Sequence, residues 1–120
     1  MTQLNNIVVV QHDPQSAQAL ISSLDPHFHQ VRLAGSLDEL KHAIPHYRVE
    51  AVVVDLEMVP LAEVQYLSRE FRIPIICTHR VPDEEMWAAA LQAGAVDCCH
   101  NEDVSGILFA VNVISRAQAA

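Results

Sequence analysis

The sequence predicts an α/β fold in which a doubly wound sheet of five parallel strands is covered by helices on both faces. Short apolar runs alternate five times with segments of helical period along 120 residues. The runs at residues 7–10 and 51–54 are β-branched or small throughout, as in strands buried on both sides. Strands separated by helical crossovers pair in parallel, and right-handed crossovers place helices on both faces. The strand order 2-1-3-4-5 is the common solution at this length.

The elements follow in order. Ile7 to Val10 is the first strand. Asp13 and Pro14 then supply an N-cap and a first-turn proline, and Ala17, Leu20, Ile21 and Leu24 recur at helical spacing until Asp25 and Pro26. His29 to Ala34 is a weaker second strand with Val31 and Leu33 on one face. Ser36 and Glu39 form a capping box opening a helix through Leu37, Leu40 and Ile44, which Pro45 is expected to stop. Ala51 to Val54 is the third strand and ends in Asp55. Val64, Leu67 and Phe71 mark the third helix, and Ile73 to Cys77 the fourth strand. Asp83 caps a fourth helix carrying Met86, Trp87, Ala90 and Leu91, closed by Gly94. Ala95 to Cys99 is the last strand, and Val104, Ile107, Leu108, Val111 and Ile114 line the last helix.

Composition narrows function. The chain is sized for one domain, residues 1–120, and its apolar fraction of 51% is ample for a core. Seven basic against fifteen acidic residues give a net charge of −8, unsuited to binding nucleic acid or anionic membranes directly. No apolar run approaches the ~18 residues of a membrane span, and no signal-peptide pattern opens the chain, so a cytoplasmic location is expected. Three glycines cannot build a phosphate loop or a dinucleotide fingerprint. Cys77, Cys98 and Cys99 form no Cys-x-x-Cys pair. Neighbours in a strand point to opposite faces, so Cys98 and Cys99 read as core thiols.

In a doubly wound sheet, ligands bind beyond the C-terminal strand ends. Strand 1 delivers Gln11, His12 and Asp13 there, strand 3 Asp55 and Glu57, strand 4 Thr78 and His79, and strand 5 His100 and Asn101.

Four segments carry a resemblance: residues 7–14 (IVVVQHDP), 52–60 (VVVDLEMVP), 73–79 (IPIICTH) and 89–97 (AALQAGAVD). In register over the whole chain, they resemble the receiver domain of bacterial two-component response regulators, a flavodoxin-like (βα)5 fold. The resemblance implies a phospho-accepting Asp after strand 3, two acids after strand 1 that help bind Mg²⁺, a Ser or Thr after strand 4 and a Lys after strand 5. Asp55 matches the acceptor. The acid pair falls on Gln11 and His12. Counted from Gly94, the Ser/Thr position falls on His79, with Thr78 the alternative if the loop is one residue longer. The Lys position falls on Asn101, followed by Glu102 in place of the usual Pro, and the loop at Met58–Pro60 is one residue longer than usual.

Mg²⁺ favours carboxylate oxygens, so the resemblance implies weak or absent Mg²⁺ binding and no cofactor. The expected function is that of a pseudo-receiver. It is not an enzyme, and signals by protein–protein contacts that govern a fused output domain or a partner. Its acidity and the small polar residues 115–120, read as the start of a linker, fit the N-terminal module of a longer regulator. The family's partner surface is helix 4, strand 5 and helix 5, where Trp87 is the interface candidate for a homodimer or partner. The alternative is a metal- or pH-responsive sensor. His12, Asp55 and His79 are residue types that bind Zn²⁺ or Fe²⁺, with His100 as a fourth group, and a neighbouring carboxylate raises a histidine pKa. The plainer reading has loop-edge histidines hydrogen-bonding to Asp55. Asp13 needs no role beyond its cap, and His27, His29, His42 and His46 read as solvated.

Overall fold

The computed structural model describes residues 6–119, with side-chain surroundings as far as Ile114. Its elements are β1 (Asn6–Val10), α1 (Pro14–Leu24), β2 (Gln30–Ala34), α2 (Leu37–His46), β3 (Ala51–Asp55), α3 (Leu61–Phe71), β4 (Ile75–His79), α4 (Glu84–Gln92), β5 (Asp97–His100) and α5 (Val104–Ala119). A short 3-10 turn, Asp25–His27, follows α1. The five strands are parallel in the order β2-β1-β3-β4-β5, as expected.

Strand alternation divides the core. Val8, Val10, Val52, Val54, Ile75 and Cys77 point to the side covered by α2, α3 and α4, where Leu40, Leu67 and Ala90 meet them. Ile7, Val9, Ala51, Val53 and Ile76 point to the other side, against Leu20 and Leu24 of α1 and Ile107 and Val111 of α5. Because the β1 and β3 interiors are buried on both faces, the unbroken apolar runs were the right signature for them. Cys98 and Cys99 join opposite sides. Burial pushes the thiols of Cys77 and Cys99 up to about 12 and raises that of Cys98, so none is a ready thiolate.

The caps match the sequence. Asp13 accepts from the Ser16 amide, Ser36 from that of Glu39, and Asp83 from that of Met86. The Glu39 carboxylate reaches back to the Gly35 amide, one residue before the cap. Gly94 closes α4 at φ 108, and a Cβ there would sit 2.5 Å from the Ser68 hydroxyl oxygen.

Several boundaries differ from expectation. Pro45 lies inside α2, which runs one residue further. In a last turn the ring removes a single donor, while buried Ile44 still anchors the helix. The chain then reverses through Arg48 at φ 54. β4 starts at Ile75, not Ile73, and extends to His79. Pro74 has no amide to enter the ladder, although its carbonyl accepts from Val52. β5 is shifted likewise, to Asp97–His100. Thr78, His79 and His100 are therefore held by the sheet rather than by loops. The backbone of α5 continues to Ala119 where a linker was expected, while the side chains beyond Ile114, and Ala120, lie outside the described residues. Among the described residues, no helix is long and apolar enough to cross a membrane.

Candidate functional site

β3 is the middle strand, and its last residue, Asp55, is fully buried at the C-terminal edge. The chain turns at once beyond it, with the amides of Met58 and Val59 donating to the Asp55 carbonyl. Buried Val59 anchors the turn from below, and this geometry brings Glu57 back over Asp55.

Both oxygens of the Asp55 carboxylate are engaged. Oδ1 accepts from the Glu57 amide at 2.9 Å. Oδ2 accepts from the His12 amide at 3.0 Å and makes a close contact with His12 Nδ1. The other ring nitrogen, Nε2, lies 3.1 Å from Glu57 Oε2. One imidazole thus bridges two carboxylates. Glu57 Oε1 is held in turn by Arg80 Nε at 2.7 Å, with His79 Nε2 at 3.5 Å. The cluster therefore places His12 and Arg80 against Asp55 and Glu57, so much of its charge is compensated internally.

Electrostatics follow from these contacts. The Asp55 hydrogen bond, aided by the charges of Asp55 and Glu57, raises the His12 pKa above its ordinary 6.5, with desolvation and Arg80 opposing. The Glu57 hydrogen bond raises that of Arg80. Asp13 is lowered chiefly by the Ser16 hydroxyl.

The structure brings some predicted residues together and separates others. His12 meets Asp55, as expected. His79 does not. Among the described residues it pairs with Glu57, while its Nδ1 accepts from the Val81 amide at 3.0 Å. The set able to converge on one ion is accordingly His12, Asp55 and Glu57, with donor atoms within 4.8 Å of one another, in place of His12, Asp55 and His79. His100 turns its Nδ1 to the Glu102 amide. Thr78 is the register partner of Asp55, but its hydroxyl donates to the Val54 carbonyl at 3.4 Å. Gln11 and Asn101 are 6% and 5% exposed. Gln11 Nε2 and Asn101 Oδ1 have no protein partner among the described residues. A cleft of about 500 Å³ opens beside His12, bounded by Asp13, Ser16, Arg80, His100 and Asn101.

The sequence placed Glu57 at this edge without giving it a role, and Arg80 was missed. An acid two residues past a strand-end Asp was the available signal for Glu57. For Arg80 there was none, because its contact depends on how two loops approach each other. The donor set, with an imidazole on Asp55 and an amide at Gln11, does not fit the oxygen shell of a hard ion such as Mg²⁺.

Five parallel strands in this order, with a buried carboxylate ending the central one, match the fold of response-regulator receiver domains. Individual proteins agree. A two-component response regulator from Clostridium difficile aligns over 97% of this chain and 99% of its own, with a TM-score of 0.83 and 18% identity. A response regulator protein from Burkholderia pseudomallei, solved with a phosphorylated aspartic acid, a calcium ion and citrate, aligns over 96% and 71%, with a TM-score of 0.77 and 22% identity. In sequence, a protein-glutamate methylesterase/protein-glutamine glutaminase of Agrobacterium fabrum is 32% identical over 108 residues, which cover 82% of this chain and 30% of that protein. The chain thus spans less than a third of that curated relative's length. No protein-family model matches the chain.

Proposed function

We propose that this chain is a pseudo-receiver: a cytoplasmic signalling module, not an enzyme, that acts by protein–protein contacts on a fused output domain or a separate partner. The observation that carries this reading is the state of Asp55. An acceptor carboxylate must present a free oxygen to the incoming phosphorus, with cations arranged around the developing charge. Here both oxygens are bound by His12 and Glu57. An amide, Asn101, stands where the resemblance places a lysine. We infer that Mg²⁺ binding is weak or absent, since Gln11 and His12 stand where the carboxylates would be.

Treatment with Mg²⁺ and acetyl phosphate is the direct test. Intact mass should show no stoichiometric phosphoryl adduct. An adduct that appears in the wild type and is missing from Asp55→Ala would overturn the reading.

For the contact surface we propose α4, β5 and α5. Trp87 is 47% exposed, Val96 38% and Phe109 67%. Trp87 Nε1 donates to Asp97 Oδ1 at 3.0 Å, so the indole is oriented before any partner arrives and little further ordering is needed. Trp87→Glu should weaken self-association or partner binding by roughly 30-fold, the effect of losing one interface anchor. Light scattering and cross-linking identical for both proteins would remove this surface from consideration.

A further inference from the structure

We propose that His12, Asp55 and Glu57 form a binding site for a borderline divalent cation of the Zn²⁺ class, distinct in its selectivity from a Mg²⁺ site. The three donor atoms lie within 4.8 Å of one another, close to the span that one ion bridges. The arrangement of the carboxylates carries the argument further. Each has one oxygen fixed by a protein donor and the other turned inward. Asp55 Oδ1 is held by the Glu57 amide, and Oδ2, which also accepts from the His12 amide, meets the His12 ring. Glu57 Oε1 is held by Arg80 and Oε2 faces His12. Outer contacts that fix one oxygen and present the other are the support that metal-ligating carboxylates receive. An imidazole nitrogen with two carboxylate oxygens suits zinc and its neighbours, whereas Mg²⁺ requires oxygen ligands. The cleft beside His12 gives an ion and its remaining water ligands a way in. All three cysteines are buried, leaving nitrogen and oxygen as the donors.

A competing zinc site exists in principle. His42 and His46 lie one turn apart on α2 with their rings stacked at 6.1 Å, a spacing that can chelate an ion adventitiously. The experiment must separate the two.

Zinc chloride titrated into the full chain by calorimetry, with and without millimolar Mg²⁺, is the measurement. We expect one tight equivalent that Mg²⁺ does not displace. His12→Gln and Glu57→Gln should each weaken it by about 10-fold or more, and His42→Asn/His46→Asn should leave it unchanged. Both single variants alter partly exposed side chains and keep hydrogen-bonding capacity, so both are expected to fold, which circular dichroism checks. A free ion about 100-fold above its dissociation constant should raise the wild-type Tm by roughly 10 °C. The Co²⁺ form should show d–d bands of a nitrogen–oxygen shell, with no thiolate charge-transfer band. The proposal is overturned by no binding, by displacement with Mg²⁺, by loss in only one of the two single variants, or by loss in His42→Asn/His46→Asn alone. It does not depend on the signalling role, because each of these outcomes leaves the acetyl phosphate result unchanged.

Discussion

Asp55→Ala is expected to lower the free energy of unfolding by about 2–4 kcal/mol, because it leaves the His12 and Glu57 amides without their acceptor at a fully buried position. The milder Asp55→Asn tests the charge separately, through pH. His12 has a folded-state pKa raised above 6.5 by Asp55 and Glu57. A raised value means that the imidazolium's contribution is fully present below the unfolded histidine value, and is lost as pH climbs through the raised one. Wild-type stability should therefore fall as pH rises from about 6.5. Urea unfolding in chelator-containing buffer at several pH values reads this directly. Asp55→Asn should flatten the decline. Asp55→Asn combined with Glu57→Gln should abolish it, because Arg80, the other charge acting on the ring, opposes protonation. Equal slopes in wild type and both variants would show that His12 and the carboxylates do not communicate.

Ile76→Ala should cost about 3–4 kcal/mol, and Leu33→Ala close to nothing, although both residues are aliphatic and both sit in strands. Ile76 is completely buried in β4, opposite Val53, on the side that packs against α1 and α5. Close packing there leaves a cavity that its neighbours only partly fill. Leu33 lies in edge strand β2 and is 51% exposed, so its truncation removes little contact. Denaturant midpoints of the two variants decide the matter. Comparable losses would mean that the β2 edge is covered in solution.

The contrast between these two aliphatic positions shows how far the sequence could be read. Alternation puts Val31 and Leu33 on one face of a strand, and the strand is real, but its place at the sheet edge leaves Leu33 half in water. Alternation reports which side chains share a face. It does not report whether anything covers that face.

What the sequence determined by itself was local. Asp13, Ser36 and Asp83 cap their helices through side chains three residues from their partners. The β-branched runs form the buried strands, and βα alternation with right-handed crossovers left one common strand order. Asp55, His12, Gln11 and Asn101 could be placed at the functional edge because strand ends and that edge coincide. Tertiary structure alone decided how these side chains pair. His79 was expected beside Asp55, yet β4 runs on to His79 and its ring faces Glu57. The Asp55 turn folds Glu57 back over His12, and Arg80 closes on Glu57 from a loop 23 residues away. Such contacts depend on angles between loops that share no periodicity. A shift of one or two ångströms exchanges one carboxylate partner for another, and no spacing in the sequence encodes that distance.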